Sequence, residues 1–191
     1  MVRTTARLFA IAMAAFLLLS APPAQAAKKT FLDSDDAKEK DEPQKFLADY
    51  DKLTKGKDAD WVYFPGGALK KGASVSVKEF DCNGHSRECR DASRDGKDYM
   101  EQWLDKQGFK VVKSGGDYVI DGNIFNAWEP HGGARFWGGW MANPGVGLEV
   151  VVKDSKGTTV GEIRHKAKGS TIRDGVENGL EEVAKALAKG E

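Results

Sequence analysis

The residues best suited to chemistry are few. The chain holds two cysteines and three histidines, and Cys82, His85 and Cys89 fall together in CNGHSREC. That grouping admits two chemistries. The cysteines can close a short disulfide loop, as close pairs in secreted chains do. Alternatively Cys82, His85 and Cys89, with His131 or water as fourth ligand, can offer a tetrahedral metal two thiolates and an imidazole. A dithiol redox centre fits less well, because the pair lacks the two-residue spacing that poises such thiols. His165 shares strand parity with Ile163 and Ala167 and reads as a strand-edge or half-buried residue, while His131, in EPHGG, reads as a turn residue. Carboxylates such as Asp121 and Glu149 suggest the acid and base of a glycosidase. Both fall at polar positions of amphipathic strands, so solvated surface is the expectation. No serine or cysteine sits in the shaped turn a nucleophile needs. GVG at 145–147 lacks the third glycine of a dinucleotide fingerprint and leads into a strand, not a helix. No Walker loop and no acidic calcium loop are present. No catalytic residue, no metal and no cofactor are therefore expected.

Recognition is the other chemistry on offer. In GGARFWGGWMANPG, Arg135, Phe136, Trp137, Trp140 and Met141 stand among glycines. Two readings remain open: the aromatics fold over the open end of a sheet and complete a core, or they form an exposed patch that grips a partner. Trp and Arg are the residues most often found as interface hot spots. Arg135, Phe136, Trp137, Trp140 and Met141 are accordingly the candidate partner-binding residues, with membrane contact the weaker alternative. Lysine plus arginine and aspartate plus glutamate balance at 29 each, which excludes the basic field that nucleic acid demands.

The N-terminus sets the compartment. Arg3 and Arg7 make a basic start, LFAIAMAAFLLL makes a short apolar run, and AQA ends it at Ala26. That is a secretory signal peptide over 1–26, and it predicts a periplasmic or secreted protein. No cysteine follows the apolar run to carry a lipid. An oxidising compartment favours the Cys82–Cys89 disulfide over free thiolates. Residues 27–42, in KKTFLDSDDAKEKDE, have little to bury and read as a flexible charged leader.

Residues 43–191 read as one α+β domain. Phe46, Leu47, Tyr50 and Leu53 predict a short N-terminal helix after Pro43. ASVSVKEF alternates as a half-buried strand. Tyr99, Met100, Trp103 and Leu104 mark a helix that Gly108 stops, and Trp103 and Trp61 are assigned to the core. FKVVK is a short strand; DYVIDGNIFNAW and VGLEVVVKD alternate; DSKG turns into TTVGEIRHKAKG. Ile172, Val176, Leu180, Val183 and Leu187 predict a final amphipathic helix, which Gly175 and Gly179 weaken. The expected architecture is a two-layer sandwich. A mostly antiparallel sheet of about five strands carries helices on one face and water on the other.

VSVKEF, a helix ending KQGFKVV, DYVIDGNI, and LEVVVKDSKGTTVGEI before a final helix together resemble domain-of-unknown-function family 4410. That family consists of bacterial envelope proteins, similar in layout to the periplasmic domains of the curli channel protein CsgG, the N-terminal domain of TolB and the lipoprotein LpoB. The resemblance covers roughly 46–188 and carries no catalytic residues. It implies a non-enzymatic binding or assembly-accessory role in the envelope, with an envelope protein as partner. The alternatives are a periplasmic enzyme that gathers His131, His165 and carboxylates in a pocket, or a small apolar-ligand-binding domain.

Overall fold

The three long strands carry the clearest pattern in the chain and form the centre of the molecule. The computed structural model describes residues 46–83, 87–129 and 143–191. In chain order the elements are β1 (Thr54–Lys55), β2 (Trp61–Tyr63), β3 (Ser74–Val77), β4 (Asp81–Cys82), α1 (Arg87–Lys106), β5 (Lys110–Val111), β6 (Tyr118–Trp128), β7 (Gly145–Asp154), β8 (Thr159–Lys168) and α2 (Ile172–Lys189). The fold is α+β, as expected. The sheet has eight strands rather than about five, in the order β1-β2-β8-β7-β6-β3-β5, with β4 also on β6. It is mixed: β3, β4 and β5 join through parallel pairings, the rest antiparallel. The extra strands are two or three residues long, too short to show a period of two in sequence.

Both helices pack on one sheet face. Register places Ile120 opposite Val152, Ile124 opposite Leu148, and Val150 opposite Ile163. These residues join Met100 and Leu104 of α1 and Val176, Leu180, Val183 and Leu187 of α2 in one apolar core. Gly179 belongs here for a reason other than helix propensity. A Cβ on it would lie 2.5 Å from Leu148 Cδ1, so its absence lets α2 settle onto β7. Thr171 caps α2 by accepting from the Asp174 N–H, and Gly190, at φ 73°, ends it. Trp103 is half-buried at the core margin with Lys106 Nζ 3.6 Å above its ring, and Trp61 is half-buried on β2. No described helix is long and apolar enough to cross a membrane.

Over the described residues 46–53 the expected N-terminal α-helix is not there. Residues 46–49 run without helix, and only a single 3-10 turn, Tyr50–Lys52, follows. The backbone N–H groups of 46–49 go to side-chain oxygens instead: Phe46 and Leu47 donate to the Tyr50 hydroxyl, Ala48 and Asp49 to Glu162. The segment is a strap laid against the sheet.

Candidate functional site

The strap draws attention to the sheet face away from the helices. Register lines up Asn123, Glu149, Arg164 and Trp61 across β6, β7, β8 and β2. The next row is Asp121, Val151, Glu162 and Tyr63. The expected solvated face is wrong here. Asn123, Glu149, Glu162 and Arg164 are 0%, 1%, 0% and 2% exposed. Of the two carboxylates read as surface, only Asp121 keeps contact with water, 2.7 Å from Lys78. Alternation reports polarity, and here it does not report exposure, because the opposed charges neutralise each other under cover.

The buried groups are closely matched. Glu149 takes an ion pair from Arg164 Nη1, the Tyr50 hydroxyl at 2.7 Å and the Asn123 amide at 3.2 Å. Arg164 stacks on the Phe125 ring, 3.7 Å from its centroid, and Phe125 in turn lies over Gly147. Glu162 accepts the Ala48 and Asp49 N–H groups, both at 3.0 Å. Burial and the Glu149 carboxylate push the Tyr50 phenol well above its ordinary range, so Tyr50 stays a neutral donor. Counting outward from the DSKG turn misses this pair, because a register shift between Val152 and Lys153 sets Glu149, five residues before Asp154, against Arg164, seven after Gly157.

A second cluster lies on the helix side. His165 has the parity expected of it but is 4% exposed, deeper than a half-buried edge residue. Its Nδ1 lies 3.1 Å from Asp60 Oδ2, and its Nε2 lies 2.6 Å from Glu182 Oε2 on α2. Burial alone would lower the imidazole, but the two carboxylates outweigh it and raise it from 6.5 to about 9. Burial would raise Asp60; His165 and the Lys166 N–H outweigh that and hold its carboxyl below the usual range. Glu182 also lines an open cleft of about 450 Å³ between β8 and α2. The chemistry is that of a charged clamp joining the β1–β2 loop, β8 and α2. Both ring nitrogens face groups of the fold itself, Nδ1 lying also 3.2 Å from the Asp60 N–H, so neither is open to a substrate.

Cys82 and Cys89 lie at disulfide distance, with Cα atoms 5.8 Å apart, and tie β4 to the first turn of α1. Thiolate ligation by this pair is thereby set aside. Among the described residues no group of three or more histidines, cysteines and carboxylates is placed to hold a metal. The candidate partner-binding residues Arg135, Phe136, Trp137, Trp140 and Met141 lie outside the described residues, as do His85 and His131.

No family model matches the chain, and no curated protein sequence matches it. Solved structures do. The PelC dodecamer from Paraburkholderia phytofirmans superposes with a TM-score of 0.52 at 17% identity, over 67% of this chain and 97% of that one. A single-site variant of the same dodecamer gives 0.51 at 14% identity, over 68% and 96%. A Xanthomonas campestris protein of domain-of-unknown-function family 330 gives 0.37 at 10% identity, over 65% and 86%. The PelC likeness is one of fold alone.

Proposed function

We propose that this chain is an exported, non-enzymatic assembly domain of the bacterial envelope, which works by binding and which associates with copies of itself. The observation that carries the reading is the fold shared with nearly the whole length of a subunit of the PelC dodecamer. The secretory signal expected over 1–26 points the same way. The buried charges agree with it, since Glu149, Arg164 and His165 are each held by partners within the fold. Arg135, Phe136, Trp137, Trp140 and Met141, which fall between β6 and β7 in sequence, are the proposed partner contact.

Light scattering on the purified mature protein tests self-association directly. A mass of several protomers supports the reading, and a protomer mass at all concentrations removes it. The Trp137→Ser, Trp140→Ser double variant tests the loop. Loss of co-purifying protein with an unchanged thermal midpoint assigns the aromatics to a partner. A midpoint lowered by many degrees assigns them to the core.

One observation favours an enzyme instead: His165 does gather two carboxylates, beside an open cleft. Its raised pKa tells against that reading, since a base must be deprotonated near the working pH. A hydrolytic activity abolished by His165→Gln at unchanged stability would restore it.

A further inference from the structure

The sheet ends on one side in β5, and the lysines gathered there differ from those elsewhere on the molecule. Lys52, Lys57, Lys78, Lys97, Lys185 and Lys189 each form an ion pair with a carboxylate. Lys70, Lys71, Lys110 and Lys113 are exposed, and among the described residues none of the four forms one. The backbone brings them together. The Lys70 carbonyl accepts the Ala73 N–H, and the Ala73 carbonyl accepts the Lys110 N–H. Ser74 stands in register with Lys110, and Val112, just before Lys113, donates to the Val75 carbonyl. A carboxylate does lie among them, but Asp117 is turned to Ser74, whose N–H and hydroxyl donate to it at 2.9 and 2.8 Å. Those bonds, with the Lys70 charge behind them, hold the Asp117 carboxyl below its usual range.

Four like charges side by side repel, and the fold gains nothing from them within itself. Protection of the sheet edge does not call for them. β5 is two residues long, and so short an edge strand is already a poor template for pairing. The residue type narrows what would meet the patch. A shaped anion is held by the planar fork of arginine, whereas lysine offers a point charge on a flexible stem. None of the four lines a cleft beside α2. The apolar side chains nearest in sequence, Val111 and Val112, are half-buried, so the patch lacks the aromatic anchor of a protein interface. What fits is a broad surface of negative charge that asks for no fixed geometry.

We infer that the β5 end of the sheet, through Lys70, Lys71, Lys110 and Lys113, is a docking surface for a lipid leaflet rich in anionic phosphate headgroups. Each lysine brought to such a surface raises affinity about fivefold. The attraction fades within a Debye length, so salt releases it. The inference does not rest on self-association, and light scattering decides that question separately.

The test is co-sedimentation of the purified mature protein with vesicles of phosphatidylglycerol or of phosphatidylcholine, at low and at high salt. The expected result is binding to phosphatidylglycerol alone, at low salt alone. The Lys110→Gln, Lys113→Gln variant should bind about thirtyfold more weakly, two lysines' worth. The Lys52→Gln, Lys55→Gln variant removes the same charge at the other end of the sheet, beside and on β1, and should bind as the parent does. All four substitutions fall on exposed side chains, so folding is not at stake. No binding to phosphatidylglycerol overturns the inference. Equal weakening by the two variants overturns it in favour of net charge, and unchanged binding by the first assigns the contact to another surface. Capture of soluble polyglutamate without capture of vesicles makes the patch a site for an acidic polymer and overturns the lipid assignment.

Discussion

Removing one member of the Glu149–Arg164 pair should cost far more than removing both. In Arg164→Met the Glu149 carboxylate, 1% exposed, keeps only the Tyr50 hydroxyl and the Asn123 amide. A buried charge stripped of its partner typically costs about 3–5 kcal/mol. Loss of the guanidinium stack on Phe125 adds to that, and the apolar methionine stem offsets some of it. At about 2–4 °C per kcal/mol for a chain of this size, the midpoint should fall by on the order of 10 °C. The double variant Arg164→Met, Glu149→Leu removes the stranded charge. It should be more stable than Arg164→Met alone, although it lacks one more native residue. The Tyr50 hydroxyl and Asn123 amide lose their acceptor in it, so it should not recover the parent's stability. Equilibrium urea unfolding of the parent, both single variants and the double, followed by tryptophan fluorescence, gives the coupling energy. The structure implies about 2–3 kcal/mol. Single effects under about 1 kcal/mol that add in the double would mean the pair stands in water, as surface pairs do. The strap would then not cover the face, and the reasoning about it would be refuted.

Three further outcomes follow from the geometry. The His165 clamp gives the protein a pH dependence. The folded imidazole titrates at about 9 against 6.5 unfolded, so its stabilisation is complete below about pH 6.5 and is lost as pH rises through about 9. The amount is about 2–3 kcal/mol, discounted for two half-exposed carboxylates, and His165→Gln should flatten the urea midpoint across that window. Reducing the Cys82–Cys89 bond should lower stability by about 2.5 kcal/mol in the chain-entropy account of so short a loop. Thermal midpoints with and without reductant measure it, and two thiols alkylated before reduction would contradict the bond. Gly122→Ala should cost about 1–3 kcal/mol, because its Cβ would lie 2.3 Å from the Phe80 ring. Phe80→Leu in the same chain should return part of that loss, and strict additivity of the two would show that they do not touch.

The helix-side core was legible because it obeys two simple periods. Ile120, Ile124, Leu148, Val150 and Ile163 alternate as β6, β7 and β8 require, and Val176, Leu180, Val183 and Leu187 recur as a helix requires. The far face was misread for a reason built into the same rule. An alternating Glu149 looks like a residue in water, and only its register against Arg164 shows that it is buried. Phe46, Leu47, Tyr50 and Leu53 have helical spacing, yet the Ala48 and Asp49 amides between them go to a carboxylate more than a hundred residues later. Local periodicity holds no information about a partner at that distance. His165 shows both sides. Its parity was readable, but Asp60 and Glu182 reach it from a loop and a helix whose placement no single strand reveals.

The buried charge also explains how the central hairpin finds its register. Val150, Val151 and Val152 are consecutive, and a strand with apolar residues on both faces tolerates a shift of one residue. Apolar packing alone therefore specifies β7 weakly. A one-residue slip would turn Glu149 into the helix-side core, among Leu148, Leu180 and Leu187, with no partner for its charge. The cost of an unpaired buried carboxylate exceeds anything the valines could regain. In the native register Glu149 meets Arg164 on one side and Asn123 on the other, and the same row presents the acceptor that Tyr50 needs. The ion pair need not add net stability to be kept by the fold. It fixes which residues of β6, β7 and β8 face away from the helices, and so builds the face on which the strap is received.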